Sequence, residues 1–494
     1  MSYDTRLMKA AALRVLPFSR QTVAVVALVA ACAALRFCHL RLLWADEDYH
    51  LAAALEMLHG SLPYRDFWYD KPPLNAIFYL FTGARDGWPL RSLDAAYVLL
   101  ACWSAYRLAR MWWGENEGRI AAIFTGFFLT FYFPSAVISF AADALMVVPH
   151  LWTIYFARLR RPLAAGACCG LAFLFNIKAV FVLAVCLAWM PAEALLLATG
   201  FAGPVLGAWF TAIAFGIWHG YVQQVWQWGV VYARQSPATH PFALGISRTA
   251  NWLGFHAALA CSAAVALLRS SRDDRSKLGI WIALSFAAVC LGSRFDPRYF
   301  LQLLPPLAVG GARGAAILFE RYDRKAALAV GLLLLIPLGR FGPRYAILAG
   351  DAMAGRTTAW ADAALDEDSR QAARTIRATA HADDTLFVWG YRSDLYVYTR
   401  LTSDSRFWDS QPLTGVPADR HLHTSQVLFG GVAERNRQEF IRSRPTFFVD
   451  GLGLLNPSLR PEAYPEIRTW IGNYELIGRT KLSLIYRRRA LPSL

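Results

Sequence analysis

Apolar runs of about 20 residues, separated by short charged connections, follow one another along the first two thirds of the chain. They fall at roughly 21–43, 91–110, 118–136, 143–158, 162–177, 179–197, 201–219, 246–268, 278–293, 299–318 and 325–341. An α-helix needs about this length to cross a bilayer. The pattern therefore predicts a polytopic α-helical membrane protein with about eleven transmembrane helices. From about residue 345 the pattern changes, and residues 351–494 are charged with no long apolar run. There Thr385–Gly390 and Thr446–Asp450 read as short strands bounded by turn residues. Glu434–Arg442 and Tyr464–Gly472 read as helices, and Tyr474–Arg487 as a terminal hairpin. The prediction is a transmembrane domain over 1–345 and a small C-terminal α/β domain over 346–494.

Three connections are more than loops. The first outer loop, 44–90, contains Asp48–His59, where Leu51, Ala54, Leu55 and Leu58 recur at helical spacing. This predicts an amphipathic helix lying on the membrane surface. Pro73–Ala84 reads as a second interfacial helix or a short extra span. Residues 220–242, with Tyr221, Trp226, Trp228 and Tyr232, have the aromatic and Gln-rich character of a membrane interface.

Charge orients the helices. With the N-terminus inside, the inner connections carry Arg107, Arg110 and Arg119, then Arg158, Arg160 and Arg161, then Arg269, Arg272, Arg275 and Lys277, then Arg321, Arg324 and Lys325. This follows the positive-inside rule; Arg36 and Arg41, at the outer end of the first run, go against it. An odd number of spans puts the C-terminal domain outside, periplasmic if the membrane is a bacterial cytoplasmic (inner) membrane. Lys9, Arg14 and Arg20 before an apolar run resemble a signal peptide, but with no convincing cleavage site the run reads as a retained first helix.

The chain has 494 residues, is 56% hydrophobic and has a formal net charge of +15; its mean hydropathy is +0.32. The clustering of Lys and Arg between apolar runs explains the net charge without nucleic acid. The eight cysteines lie in or beside apolar runs and show no CxxC spacing, which indicates neither a zinc nor a disulfide framework; they read as small core residues.

Candidate chemistry gathers in the outer connections. Asp46 and Glu47, in Trp44-Ala-Asp-Glu-Asp-Tyr49, have the make-up of a general base with a neighbouring acid; the alternative is a loop acid capping the next helix. Lys71, in Asp70-Lys-Pro-Pro-Leu74, is a point charge for a phosphate on a backbone restricted by proline, or an interface lysine. Asp143 opens an apolar run and Lys178 lies between two of them; such charges mark substrate paths or, respectively, a cap and a snorkelling side chain. Arg294, Asp296 and Arg298 share a short outer connection, suited to bidentate phosphate binding or to an Arg–Asp structural pair.

Together these residues resemble the GT-C glycosyltransferases, in particular the bacterial PMT-like branch (glycosyltransferase family 39) that includes protein O-mannosyltransferases and the aminoarabinose transferase acting on lipid A. The matching pieces are Asp46-Glu47, Lys71-Pro-Pro-Leu74, Arg91-Ser-Leu93, Asp143, Lys178, and Arg298-Tyr-Phe-Leu with Leu304-Pro-Pro306, in order over about residues 20–340. The resemblance implies inverting transfer of a sugar from a polyprenyl-phosphate donor to an acceptor hydroxyl at the outer membrane face. It makes Asp46 the base with Glu47 beside it. Asp143 and Tyr49 orient acceptor or sugar, and Lys71, Arg298, Lys178 and Arg294 hold the lipid phosphate. Some GT-C enzymes need a divalent cation, for which Asp46 and Asp143 would be ligands. Monophosphate-donor branches generally do not, so no metal or other cofactor is assigned. The chain departs from the aminoarabinose branch at Tyr69-Asp70 before Lys71 and in its short tail domain, which leaves a lipid, glycan or protein acceptor open. A lipid or sugar transporter or flippase, and a membrane scaffold displaying the tail domain, are the competing functions. The gathering of charges on one face favours interfacial catalysis over both.

Overall fold

The computed structural model describes residues 20–489 except 136–137, 235–239, 357, 359–362 and 419–420; Lys9 and Arg14 lie outside the described residues. In the helical part the α-helices are α1 Arg20–Ala34, α2 Glu47–Leu58, α3 Pro73–Tyr79, α4 Trp88–Trp112, α5 Glu115–Thr130, α6 Ala142–Leu145, α7 Val147–Arg158 and α8 Pro162–Phe175. They continue as α9 Val180–Trp189, α10 Ala194–Ala214, α11 Trp218–Tyr221, α12 Trp228–Arg234, α13 Pro241–Phe255, α14 Ala257–Arg269, α15 Arg272–Cys290 and α16 Leu304–Ala354. The C-terminal unit contains α17 Ala364–Arg377, α18 Asp394–Thr399, α19 Gln411–Thr414, α20 Gly430–Phe440 and α21 Pro465–Ile471. Its strands are β1 Leu386–Trp389, β2 Phe447–Asp450, β3 Tyr474–Arg479 and β4 Leu484–Arg488.

Helices stand at the apolar runs, with two corrections. The single span expected over 246–268 is α13 and α14, meeting at 92°. The two runs at 299–318 and 325–341 are joined in α16, which breaks only at Asp323 (φ 45°) and continues to Ala354, past the expected boundary. Among the described residues three helices, 21–39, 191–214 and 297–354, are each long and apolar enough to cross a membrane, and α13 with α14 makes a fourth if the bent pair is one span. These helices mark a membrane protein. Its core is close-packed: at Gly314, on α16, a side chain would run into the Ser262 carbonyl of α14.

Three of the basic connections meet at one end. Trp112 Nε1 donates to Asp274 at 2.7 Å, the Arg158 guanidinium lies 4.4 Å from the Trp112 ring centre, and Arg160 reaches the Trp189 carbonyl at 3.3 Å. Arg36, against the charge trend, is buried and donates to Asp94 at 2.7 Å and to the Leu129 and Ile138 carbonyls. It is an internal ion-pair member, so topology does not govern it.

The C-terminal sheet has the order β1-β2-β4-β3, parallel between β1 and β2 and antiparallel elsewhere. The four strands, α20 and α21 stand at the short elements expected from the sequence, whereas α17, α18 and α19 were not expected. The unit sits directly on the first outer loop, and this corrects the reading of Asp48–His59 as a membrane-surface helix. In α2, Glu47–Glu56 are all buried, because the C-terminal unit covers the side turned from the membrane helices. The Asp394 amide donates to Asp48 at 3.3 Å, the Ser403 amide to Glu56 at 2.7 Å, and the Trp68 amide to the Arg406 carbonyl at 2.6 Å.

Burial raises the Glu56 carboxyl to about 7, against the Ser403 and Ser61 hydrogen bonds and the charge of His59, which lower it. Between its unfolded value and about 7, the folded chain keeps a proton that the unfolded chain has released. Stability from this group therefore falls as pH rises through that window. Glu56→Gln retains both hydrogen-bonding positions without the charge. It is expected to stabilise the protein at pH 8 by about 1–3 kcal/mol and to have little effect at pH 4.5, read as melting temperature in detergent. An equal shift at both pH values would contradict this account.

Candidate active site

The first outer loop is fixed before any substrate arrives. The Tyr69 amide donates to Gln224 Oε1 at 2.7 Å, and Gln224 Nε2 donates to the Tyr64 carbonyl at 2.8 Å. Gly220 packs against that carbonyl with no room for a side chain. The Tyr64 hydroxyl donates to the Lys71 carbonyl at 2.7 Å, and His50 Nδ1 shares a 2.7 Å hydrogen bond with the Tyr69 hydroxyl. Pro72 and Pro73 then start α3, whose Asn75 Nδ2 donates to the Phe175 carbonyl at 2.8 Å.

Of the three adjacent acids only Asp46 faces open space. It sits before α2 at φ 77°, a left-handed backbone that Asp and Asn tolerate better than most residues. Its side chain makes no cap hydrogen bond, so it is not the capping acid; it pairs with Arg298. Glu47 is buried and faces neither cavity at the site. It accepts from Arg91 Nη1 at 2.9 Å and Nη2 at 2.8 Å, and from the Phe140 amide at 2.6 Å. Burial alone would push this carboxyl up; the charge and hydrogen bonds of Arg91, with the Phe140 amide and Arg36, hold it below its ordinary value. Asp48 is buried against the C-terminal unit, and burial with the neighbouring Asp394 charge pushes it well above the usual carboxylate range.

A cavity of ≈ 490 Å³ is lined by Asp46, Lys71, Asp143, Lys178, Arg294 and Arg298. Six of the eight residues singled out from the sequence thus come together; Tyr49 lines an adjoining cavity and Glu47 lines neither. Asp143 accepts from Asn176 Nδ2 at 2.8 Å and Gln302 Nε2 at 3.0 Å, so it too is a held side chain and makes no cap. Lys178 is buried, does not snorkel, and has its Nζ 3.0 Å from the Tyr299 ring centre with no hydrogen-bond partner. Arg294 is buried over the Tyr232 ring, 3.6 Å from its centre, and donates to the Tyr232 hydroxyl at 2.7 Å. Asp296 pairs with Arg248 at 3.2 Å. Ser293 and Phe295 have φ of 53° and 49°, a strained turn that aims this connection inward.

Asn176 and Gln302 were missed from sequence, although Asn176 stands two residues before Lys178 and Gln302 lies between Arg298 and Pro305. The C-terminal wall of the adjoining cavity, with Tyr391, Asp409 and His421, was missed altogether. Asp46 and Asp143, the two candidate ligands for a divalent cation, both line the cavity, and no metal is assigned to them. Arg298 pairs with Asp46, and both amides on Asp143 reach its Oδ1, near the Lys178 charge. Among the described residues, no three His, Cys, Asp or Glu come together as a metal group.

Comparison with solved structures finds the same architecture elsewhere. ArnT from Cupriavidus metallidurans in the apo state superposes with a TM-score of 0.60 at 16% identity, covering 95% of this chain and 98% of that one. The same protein bound to undecaprenyl phosphate gives 0.59 at 15%, covering 94% and 98%. The Archaeoglobus fulgidus oligosaccharyltransferase in the apo form gives 0.51 at 14%, covering 90% and 71%. No family model and no curated protein matches the sequence. At these identities the likeness is one of fold, and the fold is GT-C.

Proposed function

We propose that this GT-C-fold protein is an inverting glycosyltransferase that moves a sugar from a polyprenyl-phosphate donor to an acceptor hydroxyl. In this reading it works at the outer face of a bacterial cytoplasmic membrane, with about eleven spans and the C-terminal unit periplasmic. The observation that carries the reading is one cavity in which the Asp46 carboxylate stands with Lys71, Lys178, Arg294 and Arg298 between apolar walls that include Phe133, Ile138 and Leu291. The apolar walls suit an isoprenoid chain and the cations suit its phosphate. The likeness to a protein seen with undecaprenyl phosphate supports that class of donor.

The acceptor oxygen attacks the anomeric carbon as Asp46 takes its proton. The bond from that carbon to the phosphate oxygen breaks, and its electron pair leaves on the polyprenyl phosphate. Lys71, Lys178, Arg294 and Arg298 stabilise the negative charge that develops there. Asp143, oriented by Asn176 and Gln302, holds the sugar. Glu47 is a positioning residue: through Arg91 and the Phe140 amide it ties the loop bearing Asp46 to the loop bearing Asp143. The charges gather at one end of the helices, which favours transfer over transport.

Lys178 gives a direct test. Its buried ammonium lies over an aromatic face, near the Asp143 charge, and has no hydrogen-bond partner among the described residues, so an arriving phosphate supplies the hydrogen bonds it lacks. Lys178→Met is expected to weaken binding of undecaprenyl phosphate about 10–100-fold, the worth of a hydrogen bond to a charged group, in a fluorescence titration of the purified protein. Unchanged affinity would remove Lys178 from the phosphate site; no binding by the wild type would remove the donor class.

A further inference from the structure

A second cavity, ≈ 240 Å³, lies on the other side of the Asp46–Arg298 pair, between the helical part and the C-terminal unit. Asp46, Asp70, Lys71, Tyr232 and Arg298 line both cavities, so Asp46 can be approached from either.

The two differ in chemistry. In the second, every lining cation among the described residues is ion-paired, Arg298 to Asp46, Lys71 to Asp70 at 3.2 Å and Arg392 to Asp368 at 3.1 Å, and the first two are those assigned above to the donor phosphate. Asp409 is a buried acid with no ion-pair partner among the described residues; its carboxylate accepts the Gln411 amide at 2.7 Å. Burial pushes it up to about 7. His421 is buried, with Nε2 3.1 Å from the Thr414 hydroxyl and Nδ1 without a hydrogen-bond partner among the described residues; burial lowers it to about 4, so it is neutral at physiological pH. Tyr391 stacks on Tyr49 with ring centres 5.9 Å apart, and Trp68 completes an aromatic wall.

We propose that this cleft is the acceptor subsite and that it takes an uncharged sugar or oligosaccharide, not an anionic headgroup. The proposal rests on the transfer reading above and adds the acceptor's class. An anion here would meet a buried acid and, among the described residues, only cations that are already ion-paired or assigned above to the donor phosphate, which burial makes costly. A sugar offers hydroxyls that donate to the Asp409 carboxyl and the His421 Nδ1, satisfying the unpaired nitrogen. Its C–H faces suit the negative faces of the tyrosine and tryptophan rings.

The test is titration of the purified full-length protein in detergent with neutral gluco-, manno-, galacto- and arabino-oligosaccharides, the same compounds bearing a terminal phosphate, and Ser/Thr peptides, followed by tryptophan fluorescence. At least one neutral oligosaccharide is expected to bind, and Asp409→Asn or His421→Phe to weaken it at least tenfold. Ala418→Trp, filling the cleft from its rim, gives the same loss should the buried variants not fold. Binding of only phosphorylated compounds or peptides, binding of none, or loss in no variant overturns the proposal. Undecaprenyl phosphate titrated into the same samples separates the two claims. Its failure to bind sinks the transfer reading, while sugar binding lost in the cleft variants still establishes a saccharide site.

Discussion

Asp46→Asn is expected to cut sugar transfer about 10²–10⁴-fold in kcat, the usual contribution of a general base, while leaving the protein folded. The backbone at Asp46 is left-handed, which Asn accepts as readily as Asp. The side chain makes no cap hydrogen bond, and its one ion pair among the described residues is to Arg298, which is itself partly exposed. Losing that pair therefore costs little stability. Undecaprenyl phosphate should bind the variant at least as tightly as the wild type, because Arg298 is released from its carboxylate and free to meet the phosphate. This separates the base from a structural acid: if Asp46 only held Arg298 in place, donor affinity would fall together with rate. Gel filtration, a binding titration and single-turnover kinetics on one preparation distinguish the cases.

The opposite outcome is expected one residue later. Glu47→Gln should cost about 3–5 kcal/mol and leave little folded protein, because it takes from a buried arginine the carboxylate that two of its nitrogens bond. Arg91 donates to both Glu47 oxygens and to the His39 and Leu42 carbonyls, and lies 3.4 Å from Asp94, which in turn holds Arg36. A glutamine turns one accepting oxygen into a donor that faces a donor. Replacing both partners, Glu47→Gln with Arg91→Met, should recover part of the loss, since two uncharged side chains are buried more cheaply than an ion that has lost its main counter-charge. Thermal unfolding of the two single variants and the double variant reads this coupling. Strictly additive losses would show that the pair does not act as a unit.

These neighbours show how far the sequence could be read. The apolar runs mark the helices because a bilayer demands length and hydrophobicity, and both are local properties. The order of Asp46, Lys71, Asp143, Lys178, Arg294 and Arg298 along the chain was legible too, and the structure brings these side chains to one cavity. That Asp46 faces the cavity while Glu47 turns into the core was not legible. Adjacent residues on a helix start differ by rotation alone, and Arg91, which decides the matter, lies 44 positions away. The burial of α2 was misread for a similar reason. Leu51, Ala54 and Leu55 reveal one apolar face, but the cover on the other side comes from residues near 394 and 403, more than 300 positions later. Asp409 and His421 belong to no motif, and only tertiary packing brings them to Asp46.

The most direct measurement of the central claim is transfer of radiolabel from a panel of polyprenyl-phosphate sugars by the purified protein in native membrane lipid. Wild type and Asp46→Asn are compared, and the anomeric configuration of the product is read by NMR. The account predicts that label moves to an acceptor with inversion and that the variant loses it. Retention of configuration, transfer undiminished in the variant, or no transfer from any donor would contradict it.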